Sequence, residues 1–411
     1  MARRNINWYY LNDLDTLYKF LVPKDCGCFR INNDTIKSRG KFDYIILDNN
    51  IGEMADVQDF LSKVKNRCRE NSRLIITYYN HLWEPILKLA SYLGFRRKVG
   101  EQNWLDNNDL ANLLDLTGFQ TITTQKRLLI PVYLPFLSAF VNKWLASLPL
   151  INSFCLVTFV IARPKVLSGN NCSVSIIVPA RNEEMNIPRI IPNIPRFGLN
   201  QEIIFVEGHS RDKTWKAVQA EVLKIFPEHI SVKAYQQQGM GKADAVKLGF
   251  SKASGEILMI LDADLTVNPQ DLEKFYAALV SGTGNFANGS RLVYPMETQA
   301  MQSLNKLGNK IFGLLFTYIL GQRFKDTLCG TKALFKQDFI NIQKDYEKYS
   351  KNDPFGDFAL IFSAIKNNLK VIEIPVRYKD RVYGSTNINR FRHGLGLLKM
   401  TVKAFVEFKV Q

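Results

Sequence analysis

Apolar residues along this chain fall into two kinds of run, and the runs alternate. In the second half, "SVSIIVPA" and "EIIFVEG" are short, continuous and rich in β-branched residues, the pattern of strands buried on both faces. The period changes to that of a helix in "DKTWKAVQAEVLKIF", and again in "GKADAVKLGFSKASG", where Ala243, Val246, Leu248 and Phe250 form a partial stripe. "NPQDLEKFYAALVSG" is a third helix, with Asn268 as N-cap and Pro269 at the first helical position. "SVKAYQ" and "ILMILDAD" supply two more strands. This alternation predicts a mostly parallel sheet with helices on both faces, whose ligands bind at the carboxyl ends of the strands. Earlier in the chain, "KFDYIILDNNIG" and "NSRLIITYYN" read as strands, and "DLANLLDLTGFQTIT" as a helix running into a third. The expectation is two α/β units, with no internal repeat and no low-complexity tract. A short polar, glycine-bearing stretch separates them. The expected boundaries are 1–163 for the first unit, 164–173 for a linker, 174–388 for the second unit and 389–411 for an amphipathic C-terminal helix.

One apolar stretch fits neither period. "LLIPVYLPFLSAFVNKWLASLPLINSFCLVTFVIA" is broken by Pro131, Pro135, Lys143, Pro149 and Asn152. No uninterrupted run reaches the ~18 residues of a spanning helix, so the stretch reads as packed core or as a membrane-facing patch. Arg3 and Arg4 are followed by polar and aromatic residues, which is not the pattern of a signal peptide.

Composition narrows the partners. With 46% hydrophobic and 22% charged residues over 411 positions, the chain is that of a soluble globular protein of two or three domains. Its formal charge of +16 favours phosphates, nucleotides, nucleic acid or an acidic membrane face. The six cysteines contain no C-x-x-C pair, and Cys26 and Cys28 lack the second pair of a zinc site. They read as free thiols of a reducing cytoplasm.

The candidate chemistry lies where "ILMILDAD" ends. Asp262 and Asp264, one residue apart after a buried strand, need a positive partner to offset their charge. Two hard oxygen ligands on such a turn suit a divalent cation, which takes one or two protein carboxylates and fills its shell with phosphate oxygens and water. The bland alternative is a helix-capping Asp beside a solvated neighbour.

The company of this pair is specific. "IIVPARNEEMNI", "IFVEGHSRDKT", "QQQGMGKADAVKLGFSKASGEILMILDADL", "ANGSRLV", "DTLCGTKALF" and "VIEIPVRYKDRVYGSTNI" follow one another in that order. Together, over about Val174 to Phe408, they resemble the family-2 glycosyltransferases of GT-A fold, and within them the dolichyl- or polyprenyl-phosphate sugar synthases. The resemblance implies that Pro179, Asn182 and Glu183 cradle the nucleotide, with Arg181 where the family often has Tyr. It places Glu207 where an Asp often contacts the base, with Ser210 and Asp212 completing that loop. Gly241 and Lys242 match a "GK" turn, and Asp262 and Asp264 the metal pair for Mg2+ or Mn2+. Thr266 stands where some members have a further metal ligand, Gln. Arg291 and Lys306 match basic positions near the donor or acceptor phosphates. Asp326, Gly330 and Lys332 lie in an acceptor-side segment. Arg381 and Gly384 open the closing motif, in which Thr386 and Asn387 replace Ser and Lys.

The implied reaction is displacement with inversion at the anomeric carbon of a nucleotide-sugar donor. A lipid phosphate acceptor attacks unaided, whereas a hydroxyl acceptor needs a base, for which "KNDPFGDFALIFSAIKNN" offers Asp353 and Asp357. Three readings stand: transfer to a polyprenyl-phosphate-type lipid, transfer to a hydroxyl of a glycan or lipid with Asp357 as base, and a non-catalytic nucleotide-sugar-binding scaffold. Nucleic acid is not an expected partner. From Lys370 to Gln411 nine Lys/Arg face three Asp/Glu, and "INRFRHGLGLLKMTVKAFVEFKVQ" reads as an interfacial helix. The expected location is therefore cytoplasmic, peripheral at the inner face of the membrane.

The first unit, through "FDYIILDNNIGEMADVQDFLSKVKNRCRENSRLIITYYNHLWEP" and "LLDLTGFQTI", resembles the latter half of a class I S-adenosylmethionine-dependent methyltransferase. The Rossmann-like start of that family, with its glycine loop, has too few residues here. The resemblance therefore implies an incomplete domain, kept as a scaffold and without methyl transfer.

Overall fold

The computed structural model describes all residues except 1, 32–35, 37–39, 50, 97–101, 166–170, 295–302, 352, 354–355, 380, 382, 384–389 and 411, and the side chains of 2–7, 303–307 and 390–394 also lie outside the description. The chain forms two compact units. One comprises Met1–Val166 with Tyr318–Gln322 and Lys403–Gln411, and the other Leu167–Thr317 with Arg323–Val402.

The first unit contains α1 (Ala2–Leu21), β1 (Cys28–Ile31), β2 (Phe42–Asp48), α2 (Val57–Lys65), β3 (Cys68–Tyr79), α3 (Glu84–Tyr92), α4 (Asn107–Leu116), β4 (Phe119–Arg127), α5 (Leu137–Phe140), α6 (Pro149–Asn152) and β5 (Val157–Pro164). Its sheet runs β1-β2-β3-β5-β4, parallel from β1 to β3 and antiparallel around β5. Alternate residues of β2 serve opposite faces. Ile45 and Leu47 pack with Phe60, Leu61, Leu110 and Leu114 of α2 and α4, while Tyr44 and Ile46 pack with Leu14, Leu17 and Tyr18 of α1. α2 starts where the Asp56 carboxylate accepts the Asp59 N–H at 2.9 Å, and it buries Val57, Phe60, Leu61 and Val64 at helical spacing. The broken apolar stretch divides: β5 is buried along its whole length, while large apolar side chains between Tyr133 and Phe154 face solvent.

The second unit contains β6 (Val174–Ala180), α7 (Ile187–Ile190), β7 (Gln201–Glu207), α8 (Thr214–Val222), β8 (Ile230–Gln236), α9 (Lys242–Lys252), β9 (Ile257–Ile260), α10 (Leu272–Val280), β10 (Phe286–Ser290), α11 (Ser303–Leu320, whose last residues from Tyr318 belong to the first unit), β11 (Lys332–Phe335), α12 (Lys336–Ser350), α13 (Phe358–Lys366), β12 (Val371–Pro375) and α14 (Arg390–Phe408, whose end from Lys403 belongs to the first unit). Among the described residues its sheet has the order β12-β10-β11-β9-β6-β7-β8. Every pairing is parallel except the two made by β11. The α/β class and the mostly parallel second sheet are therefore as expected.

On one face Ile176, Val178, Ile203, Phe205 and Met259 pack with Val218, Phe275 and Leu279. On the other, α9 lies close enough that a side chain at Gly249 would stand 2.5 Å from Ile177. The predicted Asn268 cap is present, accepting from the Gln270 N–H at 3.2 Å, but the helix opens as a tight turn, Pro269–Asp271, before α10 begins. α14 buries Leu397, Met400 and Ala404 while Leu395, Leu398 and Val402 remain exposed. No helix among the described residues is long and apolar enough to cross a membrane, and none of the six cysteines is disulfide-bonded.

Candidate functional site

One edge of the second sheet collects the candidate residues, and topology is the cause. β6, β7, β8 and β9 are parallel, so their carboxyl ends lie together. Those ends deliver Asn182 and Glu183, then Glu207 and Ser210, then Gly241 and Lys242, then Asp262 and Asp264. β11 runs the other way, so its first residue, Lys332, arrives at the same edge. β10 and β12, parallel to each other, deliver Arg291 and Arg381.

The first two loops fasten each other. The Asn182 N–H donates to Ser210 Oγ at 3.0 Å, and Asn182 Oδ1 accepts the Arg211 N–H at 2.8 Å. Asp212 accepts the Thr214 N–H at 3.0 Å and the Glu184 N–H at 3.3 Å, which makes it a brace of the loop. Glu207 is buried and accepts from Ser210 N–H at 2.5 Å and Gln236 Nε2 at 3.0 Å. Burial opposes its charge, yet these hydrogen bonds outweigh it and hold the carboxyl below the usual glutamate range. Pro179, which pairs in register with Val206, carries the strand into the loop.

The aspartate pair is neutralised by the chain itself. Lys242 Nζ lies 2.6 Å from Asp262 Oδ1, and Arg381 Nη2 lies 2.5 Å from Asp264 Oδ2. Burial works against both members of the first pair. The attraction between them prevails, lowering the Asp262 pKa and raising that of Lys242. The other Asp264 oxygen accepts from the Thr266 N–H and hydroxyl at 3.1 and 2.8 Å. Thr266, which replaces a possible metal ligand, thus aims Asp264 instead. Arg381 also stands 3.8 Å from Glu183, whose carboxyl burial pushes upward in pKa against the pull of Asn186 and Arg381.

Lys242 is shared. Its ammonium is 3.8 Å from Asp357, which is 3.1 Å from the fully buried Lys332. Asp357 therefore precedes α13 as the counter-ion of Lys332, making no capping hydrogen bond there. Capping falls to Asp353, which accepts the Ala359 N–H at 2.8 Å. Two glycines make the arrangement possible. Gly241 takes φ +88° to turn the chain into α9, a conformation that L side chains rarely adopt. At Gly330, a Cβ would sit 2.0 Å from Asp262 Oδ2 and 2.2 Å from Lys242 Nζ, so the pair occupies the space that a side chain would take.

Arg291 is held by a buried partner. Its guanidinium forks onto the buried Asp326 at 2.6 and 2.8 Å and lies over the Tyr378 ring. Asp326 also accepts from Asn309 at 2.9 Å. Burial opposes the Asp326 charge, but Arg291 more than compensates and the pKa falls to about 2. Lys306 is in the first turn of α11 with its side chain outside the described ones, and Gly384, Thr386 and Asn387 are outside the described residues.

The donor set fits a hard divalent cation. Asp262 and Asp264 offer two carboxylates, with Asp262 seated where a Cβ at Gly330 would stand. No group of three or more His, Cys, Asp or Glu able to hold a metal occurs among the described residues, so further ligands have to come from phosphate and water.

Comparison with known proteins bears on the same region. The sequence model of the family described as "Glycosyl transferase family 2" matches residues 175–342. A dolichol-phosphate mannosyltransferase of Pyrococcus furiosus is 28% identical over 237 residues, covering 55% of this chain and 64% of that protein, less than two thirds of its length. A UDP-N-acetylglucosamine–dolichyl-phosphate N-acetylglucosaminyltransferase of Methanococcus voltae is 26% identical over 220 residues, covering 50% of this chain and 84% of that protein. Among solved structures, glucosyl-3-phosphoglycerate synthase from Mycobacterium tuberculosis, in complex with Mn2+, uridine diphosphate and glucosyl-3-phosphoglycerate, aligns at TM-score 0.39 and 16% identity, covering 58% of this chain and 80% of that one. The second unit therefore contains, over residues 175–342, a glycosyl transferase family 2 domain.

Proposed function

We propose that this chain is an inverting, metal-dependent glycosyltransferase that moves a sugar from a nucleotide-sugar donor to a polyprenyl-phosphate-type lipid. The observation that carries the reading is the double pairing of Asp262 with Lys242 and Asp264 with Arg381 at the carboxyl edge of the sheet. Such a set holds a cation on its carboxylates and a diphosphate on its basic groups.

In the reaction, an acceptor phosphate oxygen forms a bond to the anomeric carbon as the bond from that carbon to the diphosphate oxygen breaks. The nucleoside diphosphate leaves with the electron pair. Asn182, Glu183, Glu207 and Ser210 line the nucleotide's loops. Lys242 stabilises the departing diphosphate, and Arg381 steadies the anionic acceptor. Asp262 and Asp264 would hold Mg2+ or Mn2+, which when bound supplies positive charge to the leaving group.

No side chain has to remove a proton from a phosphate acceptor, and the commitment of Asp357 to Lys332 supports that choice over a hydroxyl. The lipid places the protein at a membrane surface, on its cytoplasmic side. The first unit serves this reading as a scaffold. Only the ten residues 32–41 join the parallel strands β1 and β2, fewer than the dozen or more of an ordinary crossover, which leaves little chain for a methyl-donor pocket.

The deciding experiment supplies a panel of nucleotide sugars with extracted membrane lipids and identifies the product by mass. A glycosylated lipid phosphate is expected, and Asp264→Asn should abolish it without unfolding the protein. Full activity in excess EDTA, or a product with the sugar on a hydroxyl, would refute the proposal.

A further inference from the structure

The segment between Tyr133 and Phe154 of the first unit is built inside out. Its large apolar side chains point to solvent. Phe136 is 92% exposed and Leu150 84%, and Leu137, Phe140, Trp144 and Phe154 are exposed with them. Ser138, Asn142 and Asn152 turn inward and satisfy the backbone, while Lys143 stays exposed. Asn142 Oδ1 accepts the N–H groups of Leu129 and Ile130 at 2.9 and 2.8 Å, and its amide donates to Ile130 O at 2.8 Å. Ser138, fully buried, donates to Val132 O at 2.6 Å and accepts from Leu134 N–H at 2.7 Å. Asn152 donates to Lys126 O at 2.9 Å and Ala146 O at 2.8 Å. A water-facing loop has no need of such provision, since water satisfies its backbone. A surface that loses its water does need it, because each unpaired peptide group costs several kcal/mol in hydrocarbon.

Two further observations fix the occupant. Phe136 adopts φ +61°, an unfavourable conformation for a bulky residue, while its ring is turned outward. The sequence from Leu116 through Asn182 contains no Asp or Glu, and Lys126 and Lys143 fall among its apolar residues, while Arg127 and Lys165 are paired with Asp13 and Asp115 from outside it. Exposed aromatic residues beside the exposed Lys143, in a segment that itself carries no acid, match the headgroup level of an anionic bilayer. We propose that residues 133–154 are an interfacial membrane anchor that inserts Phe136, Phe140, Trp144 and Leu150 into anionic lipid. This rests on the membrane-lipid reading of the reaction above and locates the contact in the first unit rather than only in α14.

The test uses the full chain and sedimentation with vesicles of phosphatidylcholine containing about 30% phosphatidylglycerol. The triple variant Phe136→Ser/Phe140→Ser/Leu150→Ser should lower the partition coefficient at least about 100-fold at an unchanged unfolding temperature, since all three side chains are exposed. Brominated lipid should quench a fluorescence component that Trp144→Phe removes. If the triple variant binds as the wild type does while Leu395→Ser/Leu398→Ser in α14 does not, the anchor is refuted and the membrane reading survives. Absence of binding by the wild type refutes both. Self-association in lipid-free buffer that the triple variant abolishes, with no vesicle binding, assigns the face to a second copy and overturns the proposal.

Discussion

Replacing Gly330 by Ala tests whether the site depends on the contact between Asp262 and Lys242. The new Cβ would begin 2.0 Å from Asp262 Oδ2, 2.2 Å from Lys242 Nζ and 2.7 Å from Asp262 Cγ, where ordinary contact starts at 3.4 Å. The oxygen must therefore retreat by about 1.4 Å and the ammonium by about 1.2 Å. Lysine has the reach to move. Aspartate has one short stem, so its carboxylate must leave the place that the proposed reaction assigns to it. A displacement of about 1 Å in catalytic geometry costs roughly 100-fold in rate. The effect on stability is smaller. Both clashing groups are side-chain ends, and Gly330 has an ordinary φ, so the loss of about 1–3 kcal/mol from overpacking is partly offset by about 0.4–1 kcal/mol from a less flexible unfolded chain. Turnover with saturating donor, a metal titration and a thermal scan together separate the two effects. Wild-type turnover in Gly330→Ala would refute the reasoning. A turnover loss accompanied by a fall of more than about 10 °C in Tm would assign the glycine to folding instead.

Other consequences concern the buried charges. Asp357→Asn should destabilise the protein by about 3–5 kcal/mol in urea, because Lys332 is fully buried, and Lys332→Met in the same chain should recover most of it. With a lipid phosphate acceptor, folded Asp357→Asn should keep turnover within about tenfold, whereas Arg381→Ala should lose about 10–100-fold. Loss of about two to four orders of magnitude at Asp357 would instead identify a base. Asp326→Asn should likewise cost about 3–5 kcal/mol at neutral pH by stranding Arg291. The Asp326 pKa is depressed to about 2 from an unfolded value of about 3.9, so its contribution is complete above the unfolded value and is lost as pH falls between about 4 and 2. A gap between wild type and variant that stays constant across that window would contradict the pairing.

Period and run length located β2, β3, β4 and β6 to β9, which are local decisions, but not β1, β5, β10, β11 and β12. β9 closes at Ile260, two residues before Asp262, where its ladder with β11 ends at Lys332. That limit comes from a strand some seventy residues later and has no local signal. The placement of Lys332 depends on the same reversal: only an antiparallel strand brings its first residue to the edge where its neighbours end. In "LLIPVYLPFLSAFVNKWLASLPLINSFCLVTFVIA" hydrophobicity alone could not separate core from surface. The separation depends on whether Ser138, Asn142 and Asn152 face the backbone or the solvent, which is settled by turn geometry rather than by composition.

The same limit applies to the aspartate pair. Two carboxylates after a buried strand announce that a positive partner is required, and a sequence motif names a metal for that partner. It does not say which side chains of the protein face the pair. The answer is Lys242, 20 positions upstream, and Arg381, 117 positions downstream of its partner. A site that held its carboxylates bare would carry two unpaired, partly buried charges, at a cost of several kcal/mol. A site already neutral faces a different demand, since an incoming ligand has to compete with its own lysine and arginine. A cation together with a diphosphate meets that demand, because the carboxylates gain the first as the basic groups gain the second, and no charge is left alone. Either component by itself strands one set, a cation facing ammonium and guanidinium or a diphosphate facing carboxylates. On the proposed reading, binding should be joint, with donor affinity rising with divalent cation and cation affinity rising with donor by the same factor.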